Sequence, residues 1–117
     1  MHEMSIALSI IEAIEAKAAG EGPGRVSEVE LLVGRLAGIE TESLSFCFEA
    51  AAKGTIAEGA RLAIEEPQGV GLCSECATSF PVSFYYAECP ACRSLRVQIV
   101  SGEEFKIKSF TIEEEGK

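Results

Sequence analysis

The sequence predicts an α+β fold: two helices packed on a small mixed β-sheet, with an inserted zinc-ribbon-like module held by four cysteines. Three observations lead there. In two segments the apolar residues recur at three- and four-residue steps, the period of a helix. Elsewhere they alternate with polar residues, the period of a half-buried strand. Between the strands, residues 70–94 carry two C-x-x-C pairs. A chain of 117 residues suits one domain with a small metal-held appendage. The expected division is an α+β body from residues 1–69 plus 95–117 and a metal-binding module at 70–94.

In the first segment Met4, Ala7, Leu8, Ile11, Ile14 and Ala18 share one helical face, while Ser5, Ser9 and Glu12 lie on the other. The spacing predicts a helix that starts three or four residues into the chain and stops at Gly20, before the Gly22-Pro23-Gly24 turn. From Arg25 to Gly34, Val29, Leu31 and Val33 alternate with Glu28 and Glu30, a half-buried strand. Residues 35–39 read as a loop, and Thr41 as the N-cap of a second helix over residues 42–53. Leu44, Cys47, Phe48 and Ala51 fall on one face of that helix, so Cys47 reads as a core thiol.

A second strand follows at Arg61 to Glu65, and Pro67-Gln68-Gly69 interrupts the pattern. After the cysteine pairs, Arg96 to Val100 reads as a strand, Ser101-Gly102 as a turn, and Phe105-Lys106-Ile107 as the start of a last strand. Phe110 and Ile112 sit on the opposite parity from Phe105 and Ile107, which calls for a bulge near Ser109 or partial cover of both faces. The strands on either side of the module are expected to lie near each other.

Charge and composition exclude several function classes. The formal net charge is -9, from 10 basic and 19 acidic side chains. Nucleic-acid binding needs clustered Lys and Arg, and here the basic residues are scattered. Between Val70 and Ser94 the charged residues are Glu75, Glu88 and Arg93 only. Phe80, Phe84, Tyr85 and Tyr86 have no cationic track beside them, so they read as cover for the cysteine turns or as a protein contact. No run approaches the ~20 apolar residues of a membrane span. The start, Met1-His2-Glu3-Met4, lacks the basic n-region of a signal peptide, and the expected compartment is the cytoplasm. With one histidine and no nucleophile–base pair, an enzyme is not expected.

Two places carry metal chemistry. The first is Cys73-x-x-Cys76, twelve residues, then Cys89-x-x-Cys92. Two thiolates on a tight turn grip one ion, and two such turns complete a tetrahedron of sulfurs at about 2.3 Å from zinc. Four protein ligands leave no open position for water, so the site is structural. A metal is expected ahead of disulfides or redox dithiols; zinc is the expected ion, with iron in a rubredoxin-like site as its competitor, because C-P-x-C also occurs there. Such turns favour glycine after the second cysteine, and here Ala77 and Arg93 stand in those places. The second place is Met1-His2-Glu3. The Met1 amine, the His2 amide nitrogen and His2 Nδ1 close a five- and a six-membered chelate ring on one ion, a donor set that suits square-planar Ni(II) or Cu(II). On its own, a lone histidine near a terminus is usually a surface residue.

The residues also bring a family into view. Met1-His2-Glu3-Met4-Ser5 resembles the opening of the HypA/HybF nickel metallochaperones of NiFe-hydrogenase maturation. Gly34-Arg35-Leu36-Ala37-Gly38-Ile39, Phe46-Cys47-Phe48, the stretch from Gly54 to Leu62, the paired C-x-x-C motifs and Ser101 to Lys108 are similar to that family in the same order. The resemblance implies nickel held at Met1, His2 and Glu3 and zinc held at Cys73, Cys76, Cys89 and Cys92. It implies Ni(II) as a transported ion and Zn(II) as a structural one, with 1–69 plus 95–117 as the nickel-binding domain. The implied partners are a HypB-type GTPase or a related ATPase, the hydrogenase large subunit, and urease maturation proteins in members that also feed urease, with no nucleic acid and no membrane. The rival reading of the residues is a zinc-ribbon nucleic-acid binder or an adaptor without nickel function.

Overall fold

Helix α1 spans His2–Ala18, followed by β1 at Arg25–Val33, α2 at Thr41–Ala52 and β2 at Arg61–Glu65. Strands β3 (Val70–Cys73), β4 (Ser79–Pro81), β5 (Val97–Ser101) and β6 (Phe105–Glu113) complete the order. The computed structural model describes residues 2–22, 24–84 and 87–114, and for His2 the backbone only.

The buried stripe of α1 is Ala7, Ile10, Ile11, Ile14 and Ala18. Met4 and Leu8, expected inside, are 36% and 49% exposed. Each residue advances about 100° around a helix, so Leu8 lies a quarter-turn off the stripe that Ala7 and Ile14 define. The helix also starts earlier than expected, at His2, and Glu3 belongs to its first turn. A carboxylate there and Lys17 in the last turn both match the helix dipole. In α2, Leu44, Phe48 and Ala52 are buried and Cys47 is half-buried on the flank. The N-cap is Glu40, not Thr41: the Glu40 backbone is extended and its Oε1 accepts from the Ser43 N–H at 2.9 Å. α1 and α2 pack against each other.

The first sheet has the order β2-β1-β6, with β1 central. Val26, Val29, Leu31 and Val33 of β1 are buried, while Glu28 pairs with Arg61 at 3.4 Å and Glu30 accepts from the Ser109 hydroxyl at 3.0 Å. In β6 Ile107 is half-buried, Lys108 and Ser109 are both exposed, and Phe110 and Ile112 are half-buried again. The break in parity therefore falls where the alternation fails in the sequence. The second sheet is antiparallel, ordered β4-β3-β5, with Gly71 opposite both Phe80 and Ile99 and an irregularity at Val70/Gly71. The strands flanking the cysteine module thus do not share a sheet. β2 joins the first sheet, whereas β5 pairs with β3, because Val97 and Ile99 on one side of β5 complete the cluster around Cys73 and Cys89.

The chain divides into two compact units. One comprises Met1–Leu31, Ile39–Ile64 and Ile107–Lys117, and the other Leu32–Gly38 and Glu65–Lys106. The second unit carries all four cysteines of the two pairs together with an upstream strap, residues 34–36. The strap is tied by Gly34 N–H to Glu104 O and Leu36 N–H to Gly102 O, both at 2.7 Å, and by Arg35 N–H to Pro67 O at 3.0 Å. A Cβ on Gly34 would run into the Gly102 carbonyl, so only glycine allows this approach. Gly102 itself has φ +111°. The Glu104 carboxylate braces the turn, accepting from Gly102 N–H at 2.8 Å and from the Ser101 hydroxyl at 3.1 Å. Its own backbone N–H, then those two donors and Lys106, hold the carboxyl below the usual carboxylate range against the opposing effect of burial.

Two outcomes follow for the strap. Gly34→Ala should cost about 3 kcal/mol, the upper part of the overpacking range, read as a shift in the urea midpoint. Glu104 has a depressed pKa when folded, so its contribution is present above the unfolded value of about 4.3 and is lost as pH falls through the folded value. Glu104→Gln should therefore lower the midpoint at neutral pH and converge on the parent chain as the pH falls through the folded value. A gap that persists at low pH would remove the charge from the explanation.

Candidate metal centre

The two C-x-x-C segments fold into the same turn twice. Strand β3 delivers Cys73, whose carbonyl accepts from Ala77 N–H at 2.9 Å, while its N–H reaches the Thr78 carbonyl at 2.9 Å. In the second copy the Cys89 carbonyl accepts from Arg93 N–H at 2.8 Å and the Cys89 N–H reaches Ser94 O at 2.9 Å. Backbone N–H groups aim at the first sulfur of each turn. Glu75 and Cys76 donate to Cys73 Sγ at 3.4 and 3.5 Å, and Ala91 donates to Cys89 Sγ at 3.4 Å. Such donors spread the charge of a thiolate and fix its direction.

The residue after the second cysteine is left-handed in both turns, Ala77 at φ 65° and Arg93 at φ 69°. The backbone takes the conformation that glycine would favour, at about 1–2 kcal/mol each for an L side chain. Something must over-determine these turns, and the sulfurs supply the reason. All four Sγ atoms lie within 4.8 Å of one another, with Cys73···Cys92 and Cys76···Cys89 both at 3.6 Å. A tetrahedron with metal–sulfur bonds of about 2.3 Å has edges of about 3.8 Å. The two edges at 3.6 Å lie close to that figure, and every cysteine of the quartet is a free thiol. This is a four-cysteine metal site.

Electrostatics within the quartet are uneven. The Thr78 hydroxyl lies 3.1 Å from Cys76 Sγ; with the Thr78 backbone it brings that thiol down to about 6. Cys73 is lowered by its backbone hydrogen bonds, that of Cys76 first. For Cys92 the Ser94 backbone favours the thiolate, but partial desolvation of the sulfur and the three neighbouring sulfurs prevail and push it to about 12. Without an ion the four sulfurs compete for protons; a cation at their centre displaces those protons. Two ion pairs brace the turns from outside, Arg93–Glu88 at 2.7 Å and Arg96–Glu75 at 3.5 Å. From beneath, Leu36, Phe80 and Val82 pack on Cys73 and Cys89, with Ala87, Val97 and Ile99 at the margin. Phe80 thus covers the cysteine turns as the sequence suggested, while Phe84 is 74% exposed. Tyr85 and Tyr86 lie outside the described residues.

The sequence reading did not single out Thr78, Ser94 or Leu36. A signal existed for the first two: each C-x-x-C is followed two residues later by a hydroxyl residue, Thr78 and Ser94. For Leu36 there was none, since it lies far upstream in a stretch read as loop.

Of the three amino-terminal residues, Met1 and the His2 side chain lie outside the described residues. Glu3 sits in the first turn of α1, and its Oε2 accepts from the Glu40 backbone N–H at 3.1 Å. Among the described residues no helix is long and apolar enough to cross a membrane.

Comparison with known proteins fits this geometry. Residues 1–112 match the family model HypA, described as hydrogenase/urease nickel incorporation, metallochaperone. The hydrogenase maturation factor HypA of Pelodictyon phaeoclathratiforme is 69% identical over 117 residues, with all of both chains covered. That of a Geobacter species is 47% identical over 113 residues, covering 97% of this chain and 100% of the relative. A solution structure of a HypA protein superposes with a TM-score of 0.72 at 25% identity, covering 98% of each chain. The solution structure of the nickel metallochaperone HypA from Helicobacter pylori, at 23% identity and a TM-score of 0.66, covers 97% of this chain and 98% of that one, and shares its fold. With the family pattern running from the first residue through the cysteine turns to the last strand, the chain belongs to the HypA family of hydrogenase and urease nickel-incorporation metallochaperones.

Proposed function

We propose that this chain carries Ni(II) at its amino terminus and hands it to the large subunit of a NiFe-hydrogenase, while Zn(II) in the four-cysteine site holds the second unit together. The observation that carries the reading is the family match over residues 1–112 joined to four cysteine sulfurs within 4.8 Å of one another. The nickel donors are the Met1 amine, the His2 amide and Nδ1, and the Glu3 amide. Because α1 begins at His2, the N–H groups of its first turn have no acceptor within the helix. An ion that takes those nitrogens breaks no helical hydrogen bond. The Glu3 carboxylate is engaged with Glu40, so Glu3 contributes through its backbone.

The two sites suit opposite tasks. Four thiolates enclose an ion and leave no open position, which supports a structural role and a non-enzymatic protein. Nitrogen donors at a chain end release nickel when they are reprotonated or when a partner supplies competing ligands. The partners are a HypB-type GTPase or a related ATPase and the hydrogenase large subunit, with urease maturation proteins as further recipients. A net charge of -9 supports a basic protein face on the partner and argues against nucleic acid.

The protein as isolated should hold about one zinc per chain, with no visible absorption. Stripping it with a chelator should abolish amide-exchange protection across β3, β4, β5 and the strap at Leu36, and leave α1 and α2 protected. Ala77→Gly should raise the stability of the zinc-loaded form by about 0.5–1 kcal/mol, since glycine relieves the left-handed strain but adds chain entropy. A destabilised variant would mean that the Cβ of Ala77 makes a contact worth more than the strain.

For nickel, one residue added before Met1, or acetylation of its amine, should abolish binding in calorimetric titration while zinc content stays constant. His2→Ala should do the same through loss of the imidazole. Unchanged affinity in the extended protein would exclude the Met1 amine, and unchanged affinity in both would move the nickel site elsewhere.

A further inference from the structure

The four cysteines differ in a way that the metal site alone does not require. Cys73 and Cys89 are buried, whereas Cys76 and Cys92 are exposed. Two sulfur pairs that run between the turns, Cys73 to Cys92 and Cys76 to Cys89, each stand at 3.6 Å. Each close pair therefore joins one buried and one exposed residue. We infer that Cys76 and Cys92 are oxidant-sensitive modification sites, and that Cys89 and Cys73 respectively resolve them into two disulfides crossing between the turns. The reactant is a small hydroperoxide, with hydrogen peroxide as its simplest member.

The chemistry closes with the groups at hand. The sulfur of the exposed cysteine, as thiolate, attacks one oxygen of hydrogen peroxide. The O–O bond breaks, the sulfur becomes a sulfenic acid, and the other oxygen leaves as hydroxide. The buried thiolate then attacks the sulfenic sulfur. The S–O bond breaks, a second hydroxide leaves, and an S–S bond forms. Each hydroxide takes a proton from solvent to become water. One pair loses two electrons to one peroxide, so two pairs consume two peroxides. No thiolate remains to ligate the ion, which passes to solvent.

Geometry favours this pairing. Closing a gap of 3.6 Å to a disulfide length of about 2.05 Å needs about 1.5 Å of relative movement. Burial of Cys73 and Cys89 against Leu36, Phe80 and Val82 keeps their sulfurs from meeting peroxide first. It also holds them within reach of the partner that does, the arrangement of a resolving cysteine. The fifth cysteine, Cys47, lies half-buried on α2 and is not among the four clustered sulfurs.

The identity of the released ion rests on the zinc reading; the pairing of the sulfurs does not. The full-length protein, purified with its metal, is treated with increasing hydrogen peroxide while a metallochromic indicator reads the released ion. Remaining thiols are then alkylated, and the protein is digested and mapped by mass spectrometry without reduction. The expected result is complete release at about two peroxides per chain, loss of four hydrogen atoms in mass, disulfides Cys73–Cys92 and Cys76–Cys89, and alkylation at Cys47 alone. At limiting peroxide, a sulfenic-acid probe should tag Cys76 and Cys92 ahead of their buried partners. Disulfides within the turns, Cys73–Cys76 and Cys89–Cys92, would overturn the inference, as would sulfenic acid appearing first on the buried pair. If the purified protein carries iron or no metal, the zinc reading fails, and the same peptide map still decides the pairing.

Discussion

Four thiolates gathered within 4.8 Å are the constraint on which the second unit depends. Like charges at that distance repel unless a cation or protons lie between them. The same turns hold two L residues in left-handed backbone, which adds to the cost of the arrangement. A single divalent ion answers both problems at once. It converts the repulsion into four bonds, and those bonds fix the turns in the strained conformation. The rest of the unit is arranged around this exchange. Backbone N–H groups soften the sulfurs, the Thr78 hydroxyl serves the exposed Cys76, and a small apolar cluster shields the two inner sulfurs from water.

Much of this was legible in the residues. The period of Ile11, Ile14 and Ala18 gave α1, and the alternation of Val29, Leu31 and Val33 gave β1. The spacing of Cys73, Cys76, Cys89 and Cys92 gave the quartet without any knowledge of the fold, because two residues between thiols is a local geometric rule. Each error has a physical cause. Leu8 and Cys47 were placed deeper than they are because helical period defines a stripe but not its width. Thr41 was preferred to Glu40 as a cap because propensity ignores the longer reach of a glutamate side chain. Strands β3 and β4 were not seen, since four and three residues are too few for alternation to register.

The strap at Gly34 to Leu36 escaped for a different reason. Its role is set by residues far along the chain, Glu104, Gly102 and Pro67, whose backbone atoms receive it. No window of sequence contains both sides of that contact. What the sequence did offer was a glycine followed by an isolated leucine in a loop, and only the fold explains both. Gly34 permits the close approach, and Leu36 fills the space beneath Cys73 and Cys89.

That leucine also bears on the order of assembly. A peptide of the two cysteine turns can close on an ion by itself, since all four sulfurs come from one short stretch. It cannot complete its own hydrophobic floor, because Leu36 arrives from the upstream chain. Closing so long a loop is an entropic barrier met late in folding. Ion capture and burial are therefore separable in time during synthesis: the turns emerge after the strap has left the ribosome, and the floor is sealed only once the two meet. Between those moments the inner sulfurs have the cover of Phe80 and Val82 but not that of Leu36.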